Sequence, residues 1–202
     1  MRISSHLEPA PIASQSHSRQ LSLKSFAREL LETLLITGLL FLSINLFTSR
    51  IRVEGSSMEP TLHNGEFVVV NRVAYRWQDL RRGDIIVFHY PLDPERRFIK
   101  RVIGLPGDTV EIRDGQVWVN GEPLQESYIS AGARDEGVWK VEPGRVFVMG
   151  DNRNNSSDSR AWGTLAMQDV IGRAVLIYWP PDQLAFIPHF SQPATASDRA
   201  AP

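Results

Sequence analysis

A short polar stretch at residues 55–61 (GSSMEPT) combines two serines with backbone that cannot form a regular element. Glycine and proline favour an irregular loop there, which would expose a hydroxyl beside unpaired backbone N–H groups. A nucleophilic serine next to such amides is the simplest device for acyl transfer, because the amides stabilise the oxyanion that the attack creates. A polar surface loop without a catalytic function is the alternative interpretation.

Lys100 is a group that could activate such a serine. In the run 97–103 (RFIKRVI), strand alternation places Phe98, Lys100 and Val102 on one face, so the lysine has apolar neighbours. Burial penalises the ammonium form and lowers the pKa, and a neutral lysine can act as a general base. The alternative is a strand lysine whose stem packs while its amine reaches water.

A third polar stretch, residues 150–163 (GDNRNNSSDSRAWG), contains almost no aliphatic side chain. Asp158 and Arg160 are close enough in sequence to pair with each other or with neighbouring groups. The composition predicts either a solvated loop or a hydrogen-bonded loop that supports a site.

The composition excludes or disfavours several other kinds of chemistry. The 202-residue chain has no cysteine, which excludes thiolate metal sites, disulfides and cysteine nucleophiles. The histidines lack metal-ligand spacing, so we predict no metal centre and no cofactor, and an ordinary surface histidine is the simplest interpretation of each. A formal net charge of −1 lacks the basic excess of a nucleic-acid-binding protein.

Residues 33–49 contain no charged side chain and are mostly Leu, Ile and Phe. This length lies at the low end of what spans a bilayer, and Leu30 and Leu31 extend the stretch. We therefore predict a single membrane-spanning anchor helix over residues 25–49. A cleaved signal peptide is one alternative, but no small-residue cleavage motif follows. A core helix of a soluble protein is another, but it would carry a polar face.

The two ends of the chain differ from the rest in composition. Residues 1–24 and 191–202 are rich in small and polar residues without apolar periodicity, and we predict that both tails are disordered. The excess of basic residues before the anchor predicts a cytoplasmic N-terminus, although Arg50 and Arg52 on the other side weaken this asymmetry.

Residues 50–190 are enough for a hydrophobic core and carry the signals of strands. Asp114-Gly115 between two alternating runs predicts a hairpin, and the helix–strand repeat of a parallel sheet is absent from the sequence. We predict a mainly β fold, a twisted and mostly antiparallel β-sheet domain anchored by one N-terminal transmembrane helix. The predicted strands are Glu66–Val70, Asp84–His89, Arg97–Ile103, Thr109–Arg113, Gln116–Asn120, Arg145–Met149 and Val170–Trp179.

Four motifs, taken in order behind an anchor, resemble those of the bacterial type I signal peptidases. These are membrane-anchored Ser/Lys endopeptidases that remove signal peptides from exported proteins. The motifs stand here at residues 55–62 (GSSMEPTL), 82–88 (RGDIIVF), 98–108 (FIKRVIGLPGD) and 150–163. The resemblance covers about residues 30–180 and implies a Ser/Lys protease domain over 50–190 on the extracytoplasmic side of a membrane. We expect a bacterial plasma membrane, with a thylakoid or a plastid-type membrane as the alternatives.

The resemblance also implies a role for individual residues. Ser57 falls on the nucleophile and Lys100 on the general base, with Ser156 on the serine that hydrogen-bonds the lysine. Asp158 and Arg160 fall on a structural acid–base pair. The implied partners are signal-peptide-bearing preproteins and the lipid bilayer. Shallow pockets for small side chains at positions −1 and −3 are expected to be lined by Val53, Met58, Leu62, Phe98 and Ile99.

Two positions depart from the pattern of that family. Its oxyanion hole uses the N–H of the nucleophile, here Ser57, and in some members a hydroxyl two residues earlier, where Gly55 stands here. Asn154 stands where the family commonly has Asp, and we expect a local effect on the loop. Two other functions compete, namely a self-cleaving Ser/Lys protease of the repressor type and a non-catalytic, membrane-tethered β-domain that binds peptides.

Overall fold

The computed structural model describes residues 16–188, and a long helix, α1, covers Ser16–Phe47. Residues 16–24 are therefore helical, and the disordered tail predicted there is wrong. Arg, Gln, Leu and Lys favour helix, so the helix extends outward from the apolar segment. The rest of that predicted tail, residues 1–15, and the predicted tail 191–202 lie outside the described residues.

The apolar part of α1 is long enough to cross a bilayer. Its segment Leu23–Phe47 has 25 residues and a mean hydropathy of 2.0, and none of it is buried within the protein. The alternative of a core helix in a soluble protein is therefore wrong. Among residues 16–188, this is the one helix whose length and composition suit a membrane span.

Residues from Phe47 onward form a second compact unit, which is built from short strands. Three predicted strands have the predicted bounds, and the other four differ by one to a few residues at one or both ends. In chain order the strands are β1 (Thr48–Arg52), β2 (Phe67–Asn71), β3 (Ile85–Tyr90), β4 (Asp93–Gly104), β5 (Thr109–Arg113), β6 (Gln116–Val119), β7 (Glu122–Pro123), β8 (Gly137–Lys140), β9 (Arg145–Met149), β10 (Leu165–Ala166), β11 (Val170–Trp179) and β12 (Ala185–Phe186).

The strands form two sheets, in which every pair is antiparallel, as the sequence predicts. The larger sheet has the order β1-β2-β11-β3-β4-β9-β10, with β12 beside β11, and the smaller has the order β7-β6-β5-β8. Two short helices, α2 (Ala74–Trp77) and α3 (Ser159–Trp162), lie between strands. Each has only four residues, which is too short for an apolar periodicity to predict it from the sequence.

The predicted hairpin joins β5 to β6. Arg113 pairs with Gln116 across a two-residue turn, in which Asp114 has a φ of 50° and Gly115 a φ of 77°. Two successive residues with positive φ make the type I′ turn that Asp-Gly favours.

Strands β1 and β4 bound the region that matters for function. Each step from β1 through β2, β11 and β3 to β4 is antiparallel, so β1 and β4 run in the same direction. In β4, residues 97–101 pair with β3, whereas pairing with β9 starts only at Arg101. Within the described strands, the first half of β4 therefore leaves one edge open, and β1 ends the sheet order.

Candidate active site

The loop after β1 holds Ser57 directly before a segment with two buried side chains. Met58 is 1% exposed and Leu62 is 0% exposed, and both belong to the core beside β2 and β3. The Gly55 N–H donates to the side chain of Asn64 at 2.9 Å, and the Leu62 N–H donates to the Met58 carbonyl at 2.9 Å. Apolar anchors and local hydrogen bonds thus fix an irregular loop, as the residue types predict.

Lys100 and Ser57 are in direct contact. The Nζ of Lys100 lies 2.8 Å from the Oγ of Ser57 and also donates to the Ile99 carbonyl at 2.9 Å. Lys100 is 4% exposed, and its Nζ lies 5.3 Å from the ring centre of Phe98. A cationic amine is therefore held against a ring, a hydroxyl and a carbonyl.

The surroundings of Lys100 favour its neutral form. Burial lowers the pKa of Lys100 to about 8, although the negative charges of Asp158 and Asp151 act in the opposite direction. At that pKa, roughly a tenth of the lysines are neutral at pH 7, against well under ~0.1% for a free lysine. The arrangement can accept a proton from a neighbouring hydroxyl near neutral pH.

The third polar stretch binds the serine loop through two asparagines. Asn152 donates its backbone N–H to the Ser57 carbonyl at 3.0 Å and its side-chain amide to the Ser56 carbonyl at 3.1 Å. Asn155 donates to the Ser56 hydroxyl at 2.8 Å. The two neighbouring serines therefore differ: the Ser56 hydroxyl is held by an amide, and the Ser57 hydroxyl faces the amine of Lys100.

Asp158 and Arg160 form the pair that the sequence predicts. The Arg160 guanidinium donates to both carboxylate oxygens of Asp158, at 2.8 and 2.9 Å. Asp158 is 0% exposed and also accepts from the Gly150 N–H at 3.0 Å. Arg160 further donates to the Arg153 carbonyl at 2.6 Å. The pair thus closes the loop on itself, and the negative charge of Asp158 acts on the pKa of Lys100.

Ser156 does not bind Lys100 in this structure. Its Oγ is buried and has no hydrogen-bond partner among the described residues, while Lys100 donates to Ser57 and Ile99 instead. Ser156 packs against Gly150, where a Cβ would collide with Ser156 and with the Ser57 carbonyl. The expected hydrogen bond is therefore absent, because the hydroxyl faces Gly150 and not the amine.

Sequence reasoning missed a buried ion pair that joins three of the four motifs. The Arg101 guanidinium donates to both carboxylate oxygens of Asp151, at 2.8 and 2.7 Å, and both side chains are 0% exposed. The Thr61 hydroxyl of the serine loop donates to Asp151 at 2.6 Å. The signal was available in part, since strand alternation places Arg101 in a buried run where it needs an acidic partner.

A cleft of about 630 Å³ opens beside Ser57 and Lys100. Phe98 and Ile99 line it, as expected for substrate pockets, together with Arg50–Arg52 of β1. The other three expected pocket residues do not line it. Val53, Met58 and Leu62 are at most 2% exposed and lie in the core, because the loop turns their side chains inward.

The two positions that depart from the family pattern have clear local settings. Asn154 donates to the Gly132 carbonyl at 3.0 Å and accepts from the Arg134 N–H at 3.0 Å, so it holds a neighbouring loop. Aspartate could accept but could not donate. Gly55 has a φ of 84°, a conformation that favours glycine, and offers no side-chain donor.

His63 and His89 have polar neighbours away from this cleft. His63 lies 3.3 Å from the Glu66 carboxylate, and His89 lies 2.7 Å from the Pro94 carbonyl. Neither histidine lines the cleft. Within residues 16–188 there is no group of three or more His, Cys, Asp or Glu side chains that could hold a metal ion.

Comparison with known proteins identifies relatives that match most of this chain in sequence. The family described as signal peptidase, peptidase S26, matches residues 27–179. The signal peptidase I of Leptolyngbya laminosa is 42% identical over 164 residues, which cover 76% of this chain and 80% of the relative. A probable signal peptidase I-1 of Synechocystis sp. is 43% identical over 164 residues, covering 77% and 84%.

A solved structure is also similar. The crystal structure of a signal peptidase I from Enterococcus faecalis V583 matches at 34% identity with a TM-score of 0.45, and the match covers 48% of this chain and 97% of that chain. The family match over residues 27–179 and the sequence relatives together settle the classification. The chain belongs to the type I signal peptidases of peptidase family S26, which makes it a serine endopeptidase.

Proposed function

We propose that this chain cleaves N-terminal signal peptides from exported preproteins, with Ser57 as the nucleophile and neutral Lys100 as the general base. The observation that carries the proposal is the 2.8 Å contact between the Lys100 amine and the Ser57 hydroxyl. The amine is buried and its pKa is lowered to about 8, which is the condition for a lysine to act as a base.

The mechanism follows from this contact. Lys100 takes the Ser57 proton as the Oγ attacks the scissile carbonyl, and the Ser57 N–H donates to the oxyanion. The protonated Lys100 then gives this proton to the leaving amine, which frees the mature protein and leaves an ester on Ser57. Lys100 then deprotonates a water that attacks the ester, and it returns this proton to the Ser57 Oγ as the signal peptide leaves as a carboxylic acid, which ionises in water.

The substrate would lie extended in the cleft between β1 and the open edge of β4. Backbone groups of both strands can pair with an added strand, as in other cases of β-augmentation. Phe98 and Ile99 would then contact small side chains at −1 and −3. The buried side chains of Val53, Met58 and Leu62 would pack in the same core as Ile99 and so support the wall of the cleft.

The domain boundaries and orientation belong to the same proposal. Residues 25–49 would anchor the chain, and residues 50–190 would form the protease domain on the extracytoplasmic side, with a cytoplasmic N-terminus. The apolar segment Leu23–Phe47 supports the anchor. Added protease should degrade the domain in right-side-out vesicles, and full protection of the domain there would contradict the orientation.

The two competing functions have less support. A repressor-type protease needs no membrane segment, and the apolar part of α1 is unexplained by that function. A non-catalytic peptide-binding domain needs no base in contact with a hydroxyl, so the buried contact between Lys100 and Ser57 is unexplained by the second function.

A cleavage assay with paired serine variants tests the proposal. The purified full-length chain in detergent is incubated with a preprotein, and the new N-terminus is sequenced. Ser57→Ala should abolish cleavage, whereas Ser56→Ala should keep substantial activity because it removes only the contact with Asn155. Equal loss in both variants would contradict the assignment of the nucleophile.

A further inference from the structure

The cleft beside the catalytic pair is lined by more positive than negative charge. Four arginines and two glutamates line it along the strands. All six side chains are exposed, and within residues 16–188 they form no ion pair that would neutralise them. These residues are Arg50, Arg52, Glu54, Glu95, Arg96 and Arg97.

Arg96 and Arg97 lie on the same strand as the general base. They precede Lys100 in β4 by four and three positions. Since a strand rises about 3.3 Å per residue, Arg96 lies roughly 13 Å along the cleft from the reacting groups. The Arg96 guanidinium lies 5.4 Å from the ring centre of Phe98, which also contacts the amine of Lys100. The arginine, the ring and the catalytic lysine thus form one row on β4.

A substrate in this cleft brings a particular residue to the arginines. In the proposed function, which this step assumes, the −1 and −3 side chains contact Phe98 and Ile99, so earlier residues of the peptide continue along β4 towards Glu95. An extended peptide has the same rise as the strand, so the residue at −5 lies about 13 Å before −1. That position lies beside Arg96 and Arg97, which leave β4 on opposite faces and both line the cleft.

We propose that Arg96 and Arg97 form a specificity subsite for an acidic side chain at about position −5 of the signal peptide. Arg50 and Arg52 add positive charge from the β1 side of the same cleft, and Glu54 and Glu95 reduce it only in part. A carboxylate at −5 gains charge-assisted contacts there, and a lysine is repelled. An anionic lipid headgroup offers the same charge, but the cleft also contains Ser57 and Lys100, which favours the peptide as occupant.

The test compares peptides that differ at one position. The full-length chain in neutral detergent, without lipid, cleaves peptides with Ala at −3 and −1 and Glu, Gln or Lys at −5. We expect kcat/KM for the Glu peptide to exceed that for the Lys peptide by about tenfold at low salt, and the ratio to fall at high salt. Glu moved to −8 should give no preference.

Paired variants assign the effect to the subsite. Arg96→Gln/Arg97→Gln should reduce the Glu-to-Lys ratio to about twofold or less, and Arg96→Lys/Arg97→Lys should keep it. The control is Arg72→Gln, which removes another exposed arginine, outside the lining of this cleft, and should leave both rate and ratio unchanged.

Three results would overturn the proposal. One is equal cleavage of the Glu and Lys peptides. Another is a ratio that survives Arg96→Gln/Arg97→Gln or falls equally with Arg72→Gln. The last is a preference that arises only when anionic vesicles are added, which would assign the charge to a lipid effect. Cleavage of the neutral Gln peptide tests the proposed function separately. If the wild-type chain does not cleave this peptide, the proposed function itself is refuted.

Discussion

Lys100 and Arg101 are consecutive cations of β4 that the fold treats in opposite ways. Both are nearly removed from water, at 4% and 0% exposed. Arg101 meets the Asp151 carboxylate with two hydrogen bonds and packs on the Tyr128 ring, 3.9 Å from its centre. Lys100 meets a hydroxyl and a carbonyl, and within residues 16–188 no carboxylate lies at ion-pair distance from it.

The difference separates a structural cation from a reactive one. A buried charge with a carboxylate partner stays charged and holds its surroundings together, as Arg101 does for three motifs. A buried amine with only neutral partners loses part of its affinity for the proton, and the pKa of Lys100 is lowered to about 8. Strand alternation sends the two side chains to opposite faces, so one strand can serve both purposes.

The largest effect is expected when the amine of Lys100 becomes a guanidinium. Lys100→Arg keeps the positive charge but cannot deprotonate in a usable range, so kcat/KM should fall by about 10⁴-fold or more. The measurement is steady-state cleavage of a peptide with Ala at −3 and −1. The matched control is Lys140→Arg in β8, an exposed strand lysine outside the cleft, which should keep wild-type activity. Wild-type activity in Lys100→Arg would make Lys100 a packing residue only.

Breaking the structural pair should affect stability more than chemistry. Arg101→Met leaves the Asp151 carboxylate buried without its partner and should reduce the free energy of unfolding by about 3–5 kcal/mol. Thermal unfolding of the full-length chain in detergent checks this. Adding Asp151→Asn to Arg101→Met should recover part of the loss. A loss below ~1 kcal/mol would mean that the pair contributes little.

The unpaired amine should carry a stability cost that depends on pH. The pKa of Lys100 is about 8 in the folded chain and 10.5 as its ordinary value. Between these values the unfolded chain binds the proton more readily, so stability rises with pH, and near pH 7 the full cost of about 3 kcal/mol is present. Lys100→Met should therefore unfold at a higher temperature at pH 7, by about 6–10 °C.

This advantage of Lys100→Met should shrink as the pH approaches 10, because the folded amine is then neutral and the unfolded amine, with its ordinary pKa of 10.5, has also begun to lose its proton. The measurement is the difference between the two unfolding midpoints at pH 7 and pH 10 in the same detergent. A difference that does not change with pH would contradict the lowered pKa.

The smallest effect is expected at Ser156. Its hydroxyl has no hydrogen-bond partner among the described residues, so Ser156→Ala should lower kcat/KM by less than about tenfold and should not reduce stability. Kinetics and an unfolding midpoint on the same preparation check both parts. A loss of about 10³-fold would instead mean that Ser156 binds the amine of Lys100 in the reacting complex.

The sequence predicts what depends on local pattern. Alternating apolar residues give the bounds of β5, β9 and β11, and Asp114-Gly115 gives the hairpin between β5 and β6. The apolar stretch before β1 predicts the helix. Its start at Ser16 is not predicted, because only weak helix propensities and no distinct capping signal indicate where it begins. Resemblance points to Ser57, Lys100, Asp158 and Arg160, and the structure brings each of the two pairs into contact.

Contacts between distant segments are what the sequence leaves open. Asp151 pairs with Arg101 across 50 positions, and Asn155 reaches Ser56 across 99, so no local period reveals either contact. The inward turn of Val53, Met58 and Leu62 depends on the loop path, which residue types do not specify. The hydroxyl of Ser156 faces Gly150 for the same reason, since its direction is set by packing between two motifs.

The central claim is that Lys100 must be neutral to act, and the pH dependence of kcat/KM for the wild-type chain tests it most directly. Below the pKa of about 8, the rate should rise about tenfold per pH unit from pH 6, and it should level off above pH 8. Ser56→Ala should show the same dependence on pH, although its maximal kcat/KM can differ from that of the wild type. A wild-type profile that is flat from pH 6 to 9 would contradict the account, because the group that takes the proton from Ser57 would then have to be something other than Lys100.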